Sequence, residues 1–299
     1  MFLIVGGESE IGAAAFAGLK AQGEVVAATT RRPDVVGQGR SFLDLASSLD
    51  EWEPPQGTAS ACVCAAVARL ADCAADPQRS AHINVSQTLA VVDKLLSRGV
   101  YVLFLSTNQV FDGNLRHVRP DAPRSPVSEY GRQKARTELV LGDYMARGAP
   151  VGILRLAKVV SPRMPLLQRW MADLANGKAI SAFNDMTLAP TPMACVTSAI
   201  SSLLGERASG IFQLTGPRDV SYADVGRFLA KKLGVESSLV QATGARDAGL
   251  PEGATPLNTT LDSSVLRDRF GLDVPDVWQV IESATGAEAG QSRAMQNAG

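Results

Sequence analysis

Histidine is scarce in this chain, and its scarcity removes several chemistries at once. Only His82 and His117 occur in 299 residues. Neither stands in a cluster of ligand-type residues, so neither a zinc centre nor a histidine-activated nucleophile is expected. The four cysteines are equally uninformative as a framework. Cys62 and Cys64 lie in an apolar run, Cys73 follows and Cys195 is remote, so no zinc or disulfide spacing emerges and all four read as buried thiols. Charge of one sign is also lacking. With 29 basic and 30 acidic residues the net charge is −1, which gives no electrostatic case for nucleic acid or an anionic membrane surface. No apolar run is long enough to span a bilayer, and Met1 leads into an apolar strand with no basic n-region or small-residue cleavage site, so a cytoplasmic location is expected. A composition of 45% hydrophobic and 20% charged residues is that of a folded soluble protein of one large or two ordinary domains.

What is present begins at the N-terminus. Phe2-Leu3-Ile4-Val5 is a short apolar run, followed by Gly6-Gly7-Glu8-Ser9-Glu10-Ile11-Gly12 and the alanine-rich stretch from Ala13 to Ala21. This reads as strand, glycine turn and helix, the arrangement that receives a dinucleotide pyrophosphate on a helix N-terminus. Gly6 and Gly12 fit the first and last glycine roles. Ser9 stands at the middle one, and Glu8 and Glu10 bring carboxylates beside the phosphate position. A second strand, Glu24 to Thr30, ends in Arg31-Arg32 rather than an acidic residue, which favours a 2′-phosphate and hence NADP(H) over NAD(H). Phe42 to Leu45 reads as a third strand, with Asp44 placed to meet an adenine amino group.

Further on, Ala59 to Ala68 has the small apolar pattern of a strand buried on both faces. A helix is expected from Asp76-Pro77 through Asn84 to Leu96, and Val100 to Leu105 is the next strand, delivering Ser106-Thr107-Asn108 to its C-terminal end. In open α/β sheets that end is where ligands bind. The next helix carries Tyr130-Gly131-Arg132-Gln133-Lys134. A tyrosine and a lysine four apart share one helix face, and a nearby ammonium favours the phenolate, so a Tyr130 pKa drawn down from about 10 is expected of a proton donor.

Regular alternation stops beyond Ser161-Pro162. The expected organisation is a dinucleotide-binding unit over 1–160 with a return segment near 191–210, a smaller α/β substrate region over 161–285, and a disordered tail over 286–299. The fold class is α/β, a Rossmann-type doubly wound parallel sheet.

Leu105-Ser106-Thr107-Asn108-Gln109-Val110-Phe111-Asp112-Gly113 followed by Tyr130-Gly131-Arg132-Gln133-Lys134 resembles the S-T-x-x-V-F-D-G and Y-G-x-x-K blocks of the extended short-chain dehydrogenase/reductases. Within that family the chain is similar to dTDP-4-dehydrorhamnose reductases and their sugar-nucleotide-binding relatives, from about Phe2 to Ile281. The resemblance implies a Thr107, Tyr130 and Lys134 triad, with Tyr130 as proton donor and Lys134 on the nicotinamide ribose. It implies a cofactor lining of Gly6, Ser9, Glu10, Ile11, Gly12, Arg31, Arg32, Asp44, Cys64, Ala65, Ala66, Tyr130 and Lys134. Substrate contacts are implied at Thr107, Asn108, Val110, Phe111, Tyr130 and Asn258, and no metal. The implied substrate is a keto sugar nucleotide, with a homodimer as the candidate assembly. Asn108 replaces the usual aspartate, and Thr255-Pro256-Leu257-Asn258 stands where the family has Arg-Pro-x-Asn. The alternatives are a non-catalytic dinucleotide-binding regulatory subunit of the same fold, and a sugar-nucleotide epimerase.

Overall fold

The computed structural model describes residues 1–37, 39–245, 247–248, 250 and 255–286. Strands β1 (Phe2–Val5), β2 (Val26–Thr30), β3 (Arg40–Phe42), β4 (Ser60–Val63), β5 (Tyr101–Thr107) and β6 (Val151–Leu156) are joined by helices. These are α1 (Glu10–Ala21), α2 (Leu70–Ala75), α3 (Pro77–Ala81), α4 (Thr88–Leu96) and α5 (Glu129–Ala146). The chain then leaves the sheet through β7 (Val159–Val160), α6 (Pro165–Ala175), β8 (Ile180–Phe183), β9 (Thr187–Leu188), β10 (Thr191–Pro192) and α7 (Met193–Glu206). It returns as β11 (Gly210–Leu214) and finishes with β12 (Val220–Ser221), α8 (Tyr222–Leu233), β13 (Val240–Thr243), α9 (Ser264–Phe270) and α10 (Val277–Gly286).

Seven strands form the central sheet in the order β11-β6-β5-β4-β1-β2-β3, every neighbouring pair parallel. Every residue of β4, β5 and β6 is buried, as a sheet covered on both faces requires. One face packs on α1 and α7, through Ala15, Leu19, Val196, Ile200 and Leu203. The other packs on α4 and α5, through Val91, Val92, Leu95 and Leu141. This is the doubly wound α/β architecture. A further apolar core joins α6, α8 and α10, around Trp170, Leu229 and Ile281. Among the described residues no helix is long and apolar enough to cross a membrane.

Several elements differ from the sequence reading for local reasons. β4 stops at Val63, because the N–H groups of Cys64 and Ala65 both turn onto Val5 O, at 2.8 and 3.0 Å, and the backbone leaves the ladder. The third strand occupies Arg40–Phe42, earlier than Phe42 to Leu45. Asp44 then forms a turn in which its Oδ1 accepts from Ala46 N at 3.0 Å. The helix expected over 76–96 is broken into α3, a π-helical segment at His82–Gln87, and α4. At the C-terminus Thr285 is buried and its hydroxyl donates to Ile281 O at 2.8 Å, so α10 runs to Gly286; the remaining residues of the expected tail, 287–299, lie outside the described residues.

Candidate active site

Strand order reverses between β1 and β4, and the crevice above their C-terminal ends is where a doubly wound sheet receives ligands. A cavity of about 240 Å³ opens there, with Gly6, Ser9, Thr29, Arg31, Asp44 and Ala65 in its walls. Gly6 holds φ +88°, and a Cβ on it would stand 2.6 Å from Ala65 N. A Cβ on Gly12 would stand 2.3 Å from Gly6 O. Both glycines are therefore required by close approach of backbone to backbone. The Ser9 hydroxyl caps α1, accepting from Gly12 N at 3.0 Å and donating to Gly6 O at 2.8 Å. That leaves the N–H groups of Glu10 and Ile11 without acceptors among the described residues, two donors at a helix N-terminus suited to a pyrophosphate. The residues thus fit a dinucleotide.

Arg31 and Arg32 part company. Arg31 lines the cavity. Arg32 turns outward, its Nη2 on Asp34 at 3.1 Å and its Nε 3.8 Å from Glu8, so it offsets the carboxylate of the glycine turn. Glu10 points the other way and accepts from the Ser161 hydroxyl. Ala66 also lines the cavity, while Cys64 does not. Thr29 was not singled out in the sequence; its hydroxyl accepts from Gly6 N at 2.9 Å and fixes the turn.

Thr107 ends β5, and its hydroxyl accepts from Gln109 N at 3.2 Å. Helix α5 starts against this turn. Ser128 caps it by accepting from Gly131 N at 3.0 Å and donates to Gln109 Oε1 at 2.8 Å. A Cβ on Gly131 would stand 2.1 Å from Gln109 O, which is why glycine follows Tyr130. Lys134 is buried, donates from Nζ to Leu105 O at 2.8 Å, and lies 4.3 Å from the Phe104 ring centroid and 5.8 Å from that of Tyr130. Thr107, Tyr130 and Lys134 are thus gathered at one strand end.

The ionisation of the pair departs from the sequence expectation. Burial pushes the Tyr130 phenol up, not down, and draws the Lys134 amine down to about 8, against the opposing influence of Cys64 and Glu138. By accessible surface Tyr130 is only half-buried. The lysine amine does not reverse that direction, because its short hydrogen bond goes to Leu105 O and it lies 5.8 Å from the Tyr130 ring centroid. Among the described residues the Tyr130 hydroxyl has no hydrogen-bond partner. At neutral pH this is a protonated phenol above a charged amine.

The other expected substrate residues are held in structural contacts near the end of β5. Val110 and Phe111 are buried in a small cluster with Leu261, with the Arg155 guanidinium 5.0 Å above the Phe111 ring. Asn258 straps two segments together, donating to Gly113 O and Asn114 O and accepting from Arg116 Nε at 2.9 Å. Asn108 stays beside Thr107, its Oδ1 3.4 Å from the threonine hydroxyl. Asn84 pins the crossing segment, accepting from Val67 N and donating to Val67 O and Gln133 Oε1.

Beneath the triad lies a charged network that sequence reasoning missed. Glu138, one turn beyond Lys134 and fully buried, accepts from Ser106 Oγ at 2.6 Å, Arg124 Nε at 2.6 Å, and Arg155 Nε and Nη2 at 3.0 and 2.7 Å. Burial alone would raise its carboxyl; the hydrogen bonds from Arg155, Ser106 and Arg124 hold it below the usual range. A charged residue inside the apolar strand Val151–Leu156 was the available signal.

With this geometry in view, residues 1–286 match the family described as the RmlD substrate binding domain. The chain belongs to that family. Its relatives include a probable low-salt glycan biosynthesis reductase, Agl14, of Haloferax volcanii, 26% identical over 220 residues that span 71% of this chain and 72% of the relative. The dTDP-4-dehydrorhamnose reductase of Escherichia coli K12 is 26% identical over 217 residues, spanning 69% and 71%. Among solved structures, MoeE5 in complex with UDP-glucose and NAD superposes with a TM-score of 0.81 at 20% identity, covering 97% of this chain and 99% of that one. That likeness carries the fold of this RmlD-family chain.

Proposed function

We infer that this chain is a pyridine-nucleotide-dependent reductase of the keto group of a sugar nucleotide, with NADP(H) preferred over NAD(H). The observation that carries the reading is the gathering of Thr107, Tyr130 and Lys134 at the end of β5, in the sheet whose β1 leads into a glycine turn with two N–H donors free among the described residues. The reductase names of its relatives support the reaction class. A bound nicotinamide dinucleotide supplies the hydride. Tyr130, protonated at neutral pH, gives its proton to the carbonyl oxygen. Thr107 orients that oxygen from the end of β5, and Lys134 holds positive charge beneath the phenol as negative charge develops on it. Arg31 is the cation left to meet a 2′-phosphate. Ser9 in place of the middle glycine of the turn, and the Thr255-Pro256-Leu257-Asn258 segment without the family's arginine, favour as a second reading a dinucleotide-binding regulatory subunit.

The test is titration with NADPH and NADH, then NADPH oxidation with several keto sugar nucleotides. Tyr130→Phe should keep cofactor affinity and lose turnover by about 10²–10⁴-fold. Arg31→Ala should weaken NADPH by about 1.5–3 kcal/mol and leave NADH unchanged. NADPH binding without any oxidation would sink the enzyme and leave the regulatory subunit. Equal affinity for both cofactors would sink the NADP preference.

A further inference from the structure

Cys62 and Cys64, at the end of β4, are nucleophilic groups beside the triad that the proposed reaction does not use. Cys62 is fully buried and Cys64 is partly exposed. Residues two apart on an extended chain share a face, and here the two sulfurs come within 3.5 Å of each other. The other two cysteines are placed elsewhere: Cys73 donates to Val67 O at 3.2 Å, and Cys195 lies near Asp273 O on α7. Both sulfurs of the pair also share electrostatic influence with the Lys134 amine, Cys64 more strongly.

We propose that Cys62 and Cys64 form a thiol–disulfide modification site, oxidised by a hydroperoxide, that controls the dinucleotide cleft. Cys64 is the first nucleophile, because it is the partly exposed member of the pair and a peroxide can reach it. Burial pushes the Cys62 thiol well up, which keeps it protonated as the resolving partner. The Cys64 thiolate attacks one peroxide oxygen, the O–O bond breaks, and the other oxygen leaves with a proton as water or an alcohol. Cys64 is now a sulfenic acid. The Cys62 sulfur attacks the Cys64 sulfur, the S–O bond breaks, and the Cys62 proton leaves with the departing hydroxide as water. An S–S bond has formed, and the two electrons lost by the thiols reside in the reduced peroxide.

The consequence for the cleft follows from the backbone. Two residues apart in an extended chain, the Cα atoms stand near the upper end of disulfide reach, so closing the bond bends the segment at Cys64. Ala65 comes next, and its N, Cα and Cβ lie 2.6–2.8 Å from a Cβ built on Gly6. The glycine turn has no slack to absorb that bend. A bond closed against such resistance is readily reduced by a dithiol, so the modification is reversible.

The control of the cleft rests on the reading that it takes a nicotinamide dinucleotide; the bond itself does not. The test is hydrogen peroxide treatment of the full chain, followed by intact mass, peptide mapping and NADPH titration, then dithiothreitol. The expected result is loss of two hydrogens mapped to the segment 62–64, with NADPH affinity lowered by about tenfold or more and restored by dithiothreitol. Cys64→Ser and Cys62→Ala should each abolish the peroxide-dependent change, and Cys195→Ser should not. Two variants on different sides of the bond keep the test valid if the buried Cys62→Ala fails to fold. Mapping that finds both thiols free, or higher oxides on Cys64 alone, overturns the proposal. An unchanged NADPH affinity in the disulfide form overturns its control of the cleft. If the untreated chain binds no NADPH, the reading of the cleft fails, and the mapped bond alone decides the site.

Discussion

At Tyr130 and Lys134 burial works on two groups in opposite senses, and both shifts disfavour charge. The phenol is raised, so it keeps its proton, as the proposed donor must; the amine is lowered to about 8, so its charge is lost just above neutrality. The rate of the reductive direction should therefore fall as Lys134 deprotonates, with an apparent pKa of about 8 in kcat/KM for the carbonyl substrate. Lys134→Arg, which stays charged, should remove that limb. A profile flat through this range in the unaltered chain would separate Lys134 from the chemistry. Stability runs the other way. The folded amine lies below its ordinary 10.5, so between these values the unfolded chain binds more protons and this group's contribution to stability rises with pH.

At the scale of elements, the site is a joint between the end of β5 and the start of α5, locked from below by Glu138. The carboxylate ties together β5 through Ser106, β6 through Arg155 and the connecting loop through Arg124. Glu138→Gln keeps the shape but leaves the Arg155 charge buried without its counter-ion, which costs about 3–5 kcal/mol. Urea denaturation should read that loss, and it should shrink in the double variant Glu138→Gln, Arg155→Met, where the charge is gone as well. A loss below about 1 kcal/mol would reduce the network to the standing of a surface pair. The folded Glu138 carboxyl lies below its ordinary value, so its stabilisation is present above that ordinary value and is lost as pH falls through the depressed one.

Across the whole molecule, the parallel sheet was legible because Val100 to Leu105 is apolar on both faces and Val151 to Leu156 is so but for Arg155, the pattern of a covered sheet. The candidate triad left a pattern in the sequence because Tyr130 and Lys134 flank Gly131 at the start of one helix, and Gly131 meets Gln109 O so closely that a Cβ has no room. Less legible was the turn of Arg32 toward Asp34 and toward Glu8, a carboxylate of another element. The same holds for the second partner of the Ser9 hydroxyl, Gly6 O, and for the direction of the Tyr130 shift, which burial decides. Glu138 and Arg155 left only a charged letter in an apolar run.

Arg155 also donates from Nη1 to Gln213 Oε1 at 3.1 Å, and Gln213 Nε2 donates to Val118 O and Asp262 O. That glutamine sits in β11, 58 residues further along the chain. During translation, β6 and its arginine thus precede their last strand partner by roughly 3–12 s at ordinary elongation rates. For that interval the nascent sheet has an open edge at β6, the kind of edge that recruits other chains, and the arginine beneath the triad is one acceptor short. A chain ended at Ser209 holds the molecule at that stage. Limited proteolysis should cut it within the loop that Arg124 and Gln213 otherwise brace, while the full chain resists; equal resistance would mean that β11 arrives on a sheet already finished without it.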